Sequence, residues 1–377
     1  MPYPFKVRCE TIVLLKLHIE LSEIMSKNVI VKKIHIDNYE ELVKIIEGKT
    51  SFCNDLREKF IFRGVGDENY PLIPSALREN NKLDDFVDED FKLTLSLTYE
   101  QAIEYGYIKK EHKYDGRKDF TVNKYGVLIN ENVKDYVKSM EEFQIRKELN
   151  ALIKFLSYAD KVGLKVPIKQ NIRQLIEHDP RYLFNREYLW PNEEYFELIS
   201  LAQHYGIPTR ALDWSYDYKT ALYFAVINIV NDDYPMKKPK NAILWAFNYK
   251  YFNWEFVPQY KTYSNNYYRP EYNSNPNLNS QKGLFTFMKK KVDESADESY
   301  DDFIKELIYN YPQIIRRMPK NEPAFYKFII PEGEKPNILK ELYFDGYSEE
   351  FLFPGYKGVT QTIKNRVKLE QIINNCK

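Results

Sequence analysis

The sequence predicts an α+β protein: a mixed, largely antiparallel sheet core with flanking helices and a helical and hairpin insertion. Three observations lead there. Apolar runs of strand length lie far apart in the chain, at residues 29–36, 59–63, 241–247, 283–288 and 324–330. Segments with apolar residues at helical spacing fall between and after them. The two kinds of segment mix irregularly instead of alternating as βαβ units, which argues against a doubly wound sheet.

Residues 29–36 (VIVKKIHI) read as the first strand. Asp37-Asn38 then cap a helix over 38–47, with Tyr39, Leu42, Val43 and Ile46 at helical spacing and Gly48 as its stop. Residues 59–63 (KFIFR) form a strand that runs into Arg63-Gly64, and 70–78 is a loop punctuated by Pro71 and Pro74. The pattern predicts helices over 86–105, 137–163 and 169–177, with a hairpin around Asp115-Gly116. A helix over 193–204 places Leu198, Leu201 and Ala202 on one face. Gly206 and Pro208 end it, and the loop 207–216 follows. Ser215 or Asp217 caps the next helix, 217–230, which is apolar nearly all round and therefore expected to be buried. Residues 258–282, rich in Asn, Tyr, Ser and Pro, read as a long loop. Pro336 starts a helix that Gly346 ends, 349–353 (EEFLF) is a short strand, and 359–375 is a closing helix.

Composition excludes several classes. The chain has 377 residues, 44% hydrophobic and 29% charged, which is globular and not disordered. Lys and Arg number 55 and so do Asp and Glu, so no global field draws the chain to nucleic acid or an anionic membrane. Cys9, Cys53 and Cys376 are widely spaced and form no CxxC pair, which fits a reduced, cytoplasmic setting. No apolar run approaches the roughly 18 residues of a membrane helix, so no membrane partner is expected. Residues 1–28 read as an N-terminal extension, and Met25 offers a second start. Walker, GxGxxG, HExxH and Cys/His zinc patterns are all missing, and no metal ligand set is assigned.

Chemistry-bearing residues concentrate in a few places. Arg63, at a strand end beside Gly64, can offer a guanidinium fork to a phosphate or carboxylate, or form a structural ion pair. The stretch from Leu201 to Trp214 brings Gln203, His204, Thr209, Arg210, Asp213 and Trp214 together between two apolar helices. These side chains make directed hydrogen bonds, and Arg210 and Asp213 are also candidates to pair with each other. Gln281 opens a polar loop entering an apolar strand. Glu349 and Glu350, on a strand, would face opposite sides.

The residues resemble the FRG family. Phe62-Arg63-Gly64 is similar to its aromatic-Arg-Gly signature, and Tyr70 to Ser75 to the Pro-containing loop that follows. Ala202 to Trp214, then Ala221-Leu222-Tyr223-Phe224-Ala225, resemble the family's central block, with Ala211 where Leu is usual. Gln281 to Thr286 looks like its QxGxFT segment, and Leu352 to Gly358 its closing block, with both acidic positions lost to Gly355 and Lys357. The resemblance spans residues 29–365, with 98–140 as an insertion and 366–377 as the end of the closing helix.

The motif order also resembles that of ADP-ribosyltransferases, which implies a split sheet and NAD as substrate. On that resemblance Arg63, Gly64, Gln203, Arg210, Ser215 and Gln281 hold NAD, and Tyr205 or Trp214 stacks on nicotinamide. Glu349 bonds the ribose and supports bond cleavage, and His204 or Asp213 orients the substrate or acts as base. The expected function is ADP-ribosyl transfer to an unknown protein or nucleic-acid target, as a bacterial toxin or anti-phage effector. The first alternative is a non-catalytic module sensing a nucleotide or phage component. The second is a phosphodiesterase or nuclease.

Overall fold

The computed structural model describes residues 30–50, 54–78, 82–87, 96–97, 120–121, 136–170, 172–174, 190–191, 193–230, 240–252, 256–257, 262–263, 267–271, 276–288, 301–310, 318–319 and 322–375. The three cysteines, the N-terminal extension, the hairpin at Asp115-Gly116 and nearly all of the helix expected at 86–105 lie outside these residues. The chain divides into two compact units. The first takes in described parts of Met1–Leu72, Asp213–Thr286 and Val292–Lys377; the second, of Ile73–Leu212 and Phe287–Lys291.

The fold is α+β. Its main sheet is mixed and has seven strands: β1 (Val31–His35), β2 (Ile61–Val65), β3 (Ala211–Ser215), β4 (Ala242–Phe247), β5 (Tyr267–Tyr268), β6 (Gly283–Phe287) and β7 (Phe325–Ile330), in the order β1-β7-β4-β2-β3-β6-β5. β1 runs parallel to β7, whereas β7–β4, β4–β2, β2–β3 and β6–β5 are antiparallel. Two of the four places where the chain passes from one unit to the other, Leu212 to Asp213 and Thr286 to Phe287, fall within β3 and β6. The described helices are α1 (Tyr39–Ile46), α2 (Tyr136–Lys161), α3 (Phe196–His204), α4 (Tyr218–Val226), α5 (Asp302–Asn310), α6 (Lys335–Phe344), α7 (Glu349–Leu352) and α8 (Tyr356–Asn375), of which α2 and α3 belong to the second unit and the others to the first.

Local signals act as the sequence suggests. The Asn38 side chain accepts from the Glu41 amide at 3.0 Å and caps α1, which buries Leu42, Ile45 and Ile46. Of the two candidate caps for α4, Asp217 is the one used; its carboxylate accepts from the Lys219 amide at 3.0 Å. Gly206, with φ at 93°, ends the α3 segment in the left-handed region that favours glycine.

In the first unit, one face of the sheet carries Phe62, Leu244, Ala246, Tyr326 and Phe328. It packs against Tyr218, Ala221, Leu222 and Ala225 of α4, Leu339 and Leu342 of α6, and Leu352 of α7. Burying such side chains stabilises the fold by about 1.5–3 kcal/mol each. Gly64 makes this packing possible. A Cβ there would sit 1.8 Å from the Ala221 carbonyl oxygen, so no side chain fits between β2 and α4. The opposite face carries Trp214, Trp245, Phe247 and Phe325, onto which Phe303 of α5 packs.

Two expectations need correction. Residues 349–353 were expected to be a strand, yet Glu349–Leu352 is helix α7. Glu349 and Leu352 are both buried, and a three-residue interval puts them on one helical face, whereas a strand would turn them apart. The segment 207–216, expected as loop, contains strand β3. Its residues Ala211, Leu212, Trp214 and Ser215 are buried, so the alternation that marks a half-exposed strand is missing. Helix α5 and the short helix Pro276–Ser280 were not anticipated.

Candidate functional site

In the first unit Arg63 and Asp213 meet. Phe62, just before Arg63, lies in the core with α4, and Gly64, just after it, backs onto α4. Side chains alternate along a strand, so Arg63 projects to the opposite face, with Trp245 as its register partner on β4. β2 and β3 share one register pair, Phe62 with Ser215. Asp213 lies beyond that pair. Arg63 Nη1 donates to the Asp213 main-chain oxygen at 2.7 Å and approaches its carboxylate at 3.4 Å. The Arg63 side chain is 17% exposed and that of Asp213 60%. Arg63 thus has a reachable guanidinium fixed mainly by a backbone carbonyl, next to a solvated carboxylate.

The same register extends across the face as Lys33, Lys327, Trp245 and Arg63 on four neighbouring strands. Lys327 Nζ lies 5.0 Å from the Trp245 ring centre. Burial pushes the Asp301 carboxyl above the usual carboxylate range, and Lys327 opposes that shift. The sequence reading passed over these residues. Their signal was the lysine interrupting the apolar run Phe325-Tyr326-Lys327-Phe328-Ile329-Ile330.

Glu349 stands elsewhere. It is 3% exposed and surrounded by neutral donors from four side chains. Its Oε1 accepts from Tyr223 (2.7 Å), Tyr343 (2.9 Å) and Asn365 (2.6 Å), and its Oε2 from Thr362 (2.9 Å). The Thr362 hydroxyl also contacts the Glu350 carboxylate. Tyr223 and Tyr343 belong to the core on the α4 face of the sheet, and burial raises both phenols well above their usual range. Glu349 is therefore on the face opposite Arg63, contrary to the shared cleft that the expected pairing requires. It ties α7 to α4, α6 and α8.

The other first-unit candidates also have structural partners. Trp214 is buried against Phe247 and Phe303 and donates its indole N–H to Thr286 Oγ1 at 2.8 Å, so its ring faces are committed to packing. Ser215 donates to the Gln281 main-chain oxygen at 2.7 Å, and Gln281 Nε2 to that of Leu352 at 3.1 Å. Gly64 serves helix packing, as shown above.

Arg210, Gln203, His204 and Tyr205 belong to the second unit. Arg210 is 2% exposed, and its Nε bonds both carboxylate oxygens of Glu148 on α2 at 2.9 Å. Glu148 further accepts from Trp190 Nε1 (2.8 Å) and Gln144 Nε2 (3.0 Å). The candidate Arg210–Asp213 pair is thus replaced by a buried Arg210–Glu148 pair. Glu148 had a sequence signal that was missed: it sits in the apolar stripe Ile145, Leu149, Leu152, Leu156 of α2. Gln203 accepts from Thr209, and that hydroxyl in turn receives the Ala211 amide at 3.1 Å, which braces the turn. His204 is half-buried and lies edge-on to the exposed ring of Tyr205.

The block from Gln203 to Trp214, with the helix that follows it, decides the relationship. The family profile of the FRG domain matches residues 141–234. Over those residues the chain resembles the FRG domain. The FRG match includes most of α2 and all of α3, β3 and α4, hence the Arg210–Glu148 pair and Asp213. Arg63, Gln281 and Glu349 lie outside it. No curated protein and no solved structure matches the chain. Among the described residues, no three His, Cys, Asp or Glu side chains are grouped to hold a metal, and no helix is long and apolar enough to cross a membrane.

Proposed function

We propose that this protein binds a nucleotide or dinucleotide through Arg63, and that NAD is the dinucleotide to test first. One observation carries the reading: Arg63 projects at the parting of β2 and β3, on the face away from α4. Its guanidinium has five N–H donors, and the bonds described above use Nη1. The remaining donors suit the bidentate recognition of a phosphate. The binding-module reading gains because Glu349 does not share this face. The balanced charge total gives a nucleic-acid ligand no added attraction.

A second reading keeps the chemistry: transfer of ADP-ribose from NAD to a macromolecular target, as in a toxin or anti-phage effector. The adjacency of β2 and β3, with Ser215 leading into α4, favours it. In that reading Asp213, not Glu349, is the carboxylate beside Arg63.

The test is an NAD and ADP titration of the intact protein and of Arg63→Ala by calorimetry, with labelled NAD added to cell extract in parallel. Charge-assisted bonds of this kind are worth about 1.5–3 kcal/mol, so Arg63→Ala should bind at least about tenfold more weakly. Failure of the intact protein to bind NAD or ADP contradicts the proposal. Nicotinamide release or label transfer selects the enzymatic reading.

A further inference from the structure

We propose that Lys327 and Lys33, in one row with Arg63, form a second anion subsite, so that the ligand is a nucleotide carrying a second phosphate on its ribose. The inference rests on the nucleotide reading of Arg63 and adds where a further charge on that ligand is held.

Lys33, Lys327, Trp245 and Arg63 are register partners on β1, β7, β4 and β2, so their side chains share one face of the sheet. Lys33 and Lys327 stand directly opposite each other on neighbouring strands, where like charges repel. Among the described residues, no carboxylate or carbonyl takes a hydrogen bond from either ammonium. Asp301 acts on Lys327 through space, without an ion pair. Lys327 is only half exposed, and its Nζ lies 5.0 Å from the Trp245 ring centre. A ring face is a weak substitute for the hydrogen bonds that the three ammonium donors make in water. A bound anion supplies what the fold leaves out: a counter-charge for both lysines and acceptors for their donors.

Position decides the form of the ligand. Neighbouring strands lie about 4.8 Å apart, so the backbone at Lys327, two strands from Arg63, is about 10 Å away. The Lys327 ammonium lies over Trp245, on the strand between them, which shortens that gap. The phosphates of a diphosphate share a bridging oxygen, so both stay at Arg63. Phosphates on two positions of one ribose are held apart by the sugar, and one can sit on Arg63 while the other meets Lys327. Trp245 itself is 2% exposed and offers no ring for stacking a base, so the row reads charge. The balanced total of 55 cationic and 55 anionic residues gives a long polyanion no added attraction, which favours a small ligand.

The experiment titrates the full chain with AMP, ADP, adenosine 2′,5′-bisphosphate and adenosine 3′,5′-bisphosphate by calorimetry, with a short single-stranded oligonucleotide as a further arm. At least one bisphosphate should bind about tenfold or more tightly than AMP, and more tightly than ADP. In Lys327→Gln the ratio of bisphosphate to AMP affinity should fall close to one. Lys33→Gln, at an exposed position on the edge strand β1, should lose part of the gain and carries the test if Lys327→Gln melts early. Equal binding of AMP and both bisphosphates, a preference for ADP over both, or a gain that survives in Lys327→Gln overturns this inference, while AMP binding that is lost in Arg63→Ala leaves the nucleotide reading standing. Tighter binding of the oligonucleotide than of either bisphosphate makes the row a nucleic-acid track and overturns the small-ligand assignment. Failure to bind any nucleotide overturns both.

Discussion

Arg210→Ala is expected to destabilise the second unit by about 3–5 kcal/mol, because it leaves a buried carboxylate without its cation. Arg210 and Glu148 are 2% and 3% exposed, and Nε of Arg210 bonds both oxygens of Glu148. Trp190 and Gln144 bond the same carboxylate, but neither carries the charge that offsets its desolvation. A buried pair replaced as a whole by apolar groups costs much less than one broken from one side. Urea unfolding should therefore rank Arg210→Met with Glu148→Leu together above Arg210→Ala alone. The opposite ranking, or a wild-type midpoint for Arg210→Ala, would show that this arginine is not a structural pin.

Glu349→Ala is expected to cost the first unit about 3 kcal/mol or more, since each buried donor left unpaired costs about 1–3 kcal/mol. The donors come from α4, α6 and α8, so the loss loosens three helices around α7 at once. Glu349→Gln is the informative partner. Its amide oxygen can keep the bonds from Tyr223, Tyr343 and Asn365. Its NH2 can donate to Thr362, whose own hydroxyl still serves Glu350. That variant should lie within about 1 kcal/mol of the parent. Chemical unfolding midpoints decide the matter: equal losses for the Ala and Gln variants would mean that the carboxylate's charge, not its hydrogen bonds, matters.

Much of the fold was legible because its signals are local. The Asn38 cap, the Gly206 stop and the apolar runs of β1, β2, β4, β6 and β7 act at short range, and each element forms close to its expected bounds. Strand β3 was hidden because tertiary burial on both faces removes the alternation that a sequence reading relies on. Helix α7 was misread because four residues are too few to separate a helical from an extended period, and the register of Glu349 and Leu352 emerges only from packing.

The candidate site was legible as a list of polar residues but not as a geometry. The central block does concentrate directed hydrogen bonds, yet most of them face inward: Arg210 to Glu148, Trp214 to Thr286, Gln203 to Thr209. Sequence proximity cannot tell a polar group that braces the chain from one that meets a ligand. Glu148, 62 positions from Arg210, is the partner that makes the difference. Strand alternation could have placed Arg63 on the face away from Phe62, but the face of Glu349 depended on its being helical.

The measurement that tests the central claim most directly is an NAD binding isotherm for Glu349→Gln and Arg63→Gln, each at matched folded fraction. With the ligand anchored by Arg63 on one face and Glu349 bracing helices on the other, Glu349→Gln should bind within about twofold of the parent and Arg63→Gln at least about tenfold more weakly. Loss of binding in a folded Glu349→Gln protein, with Arg63→Gln unaffected, would contradict it.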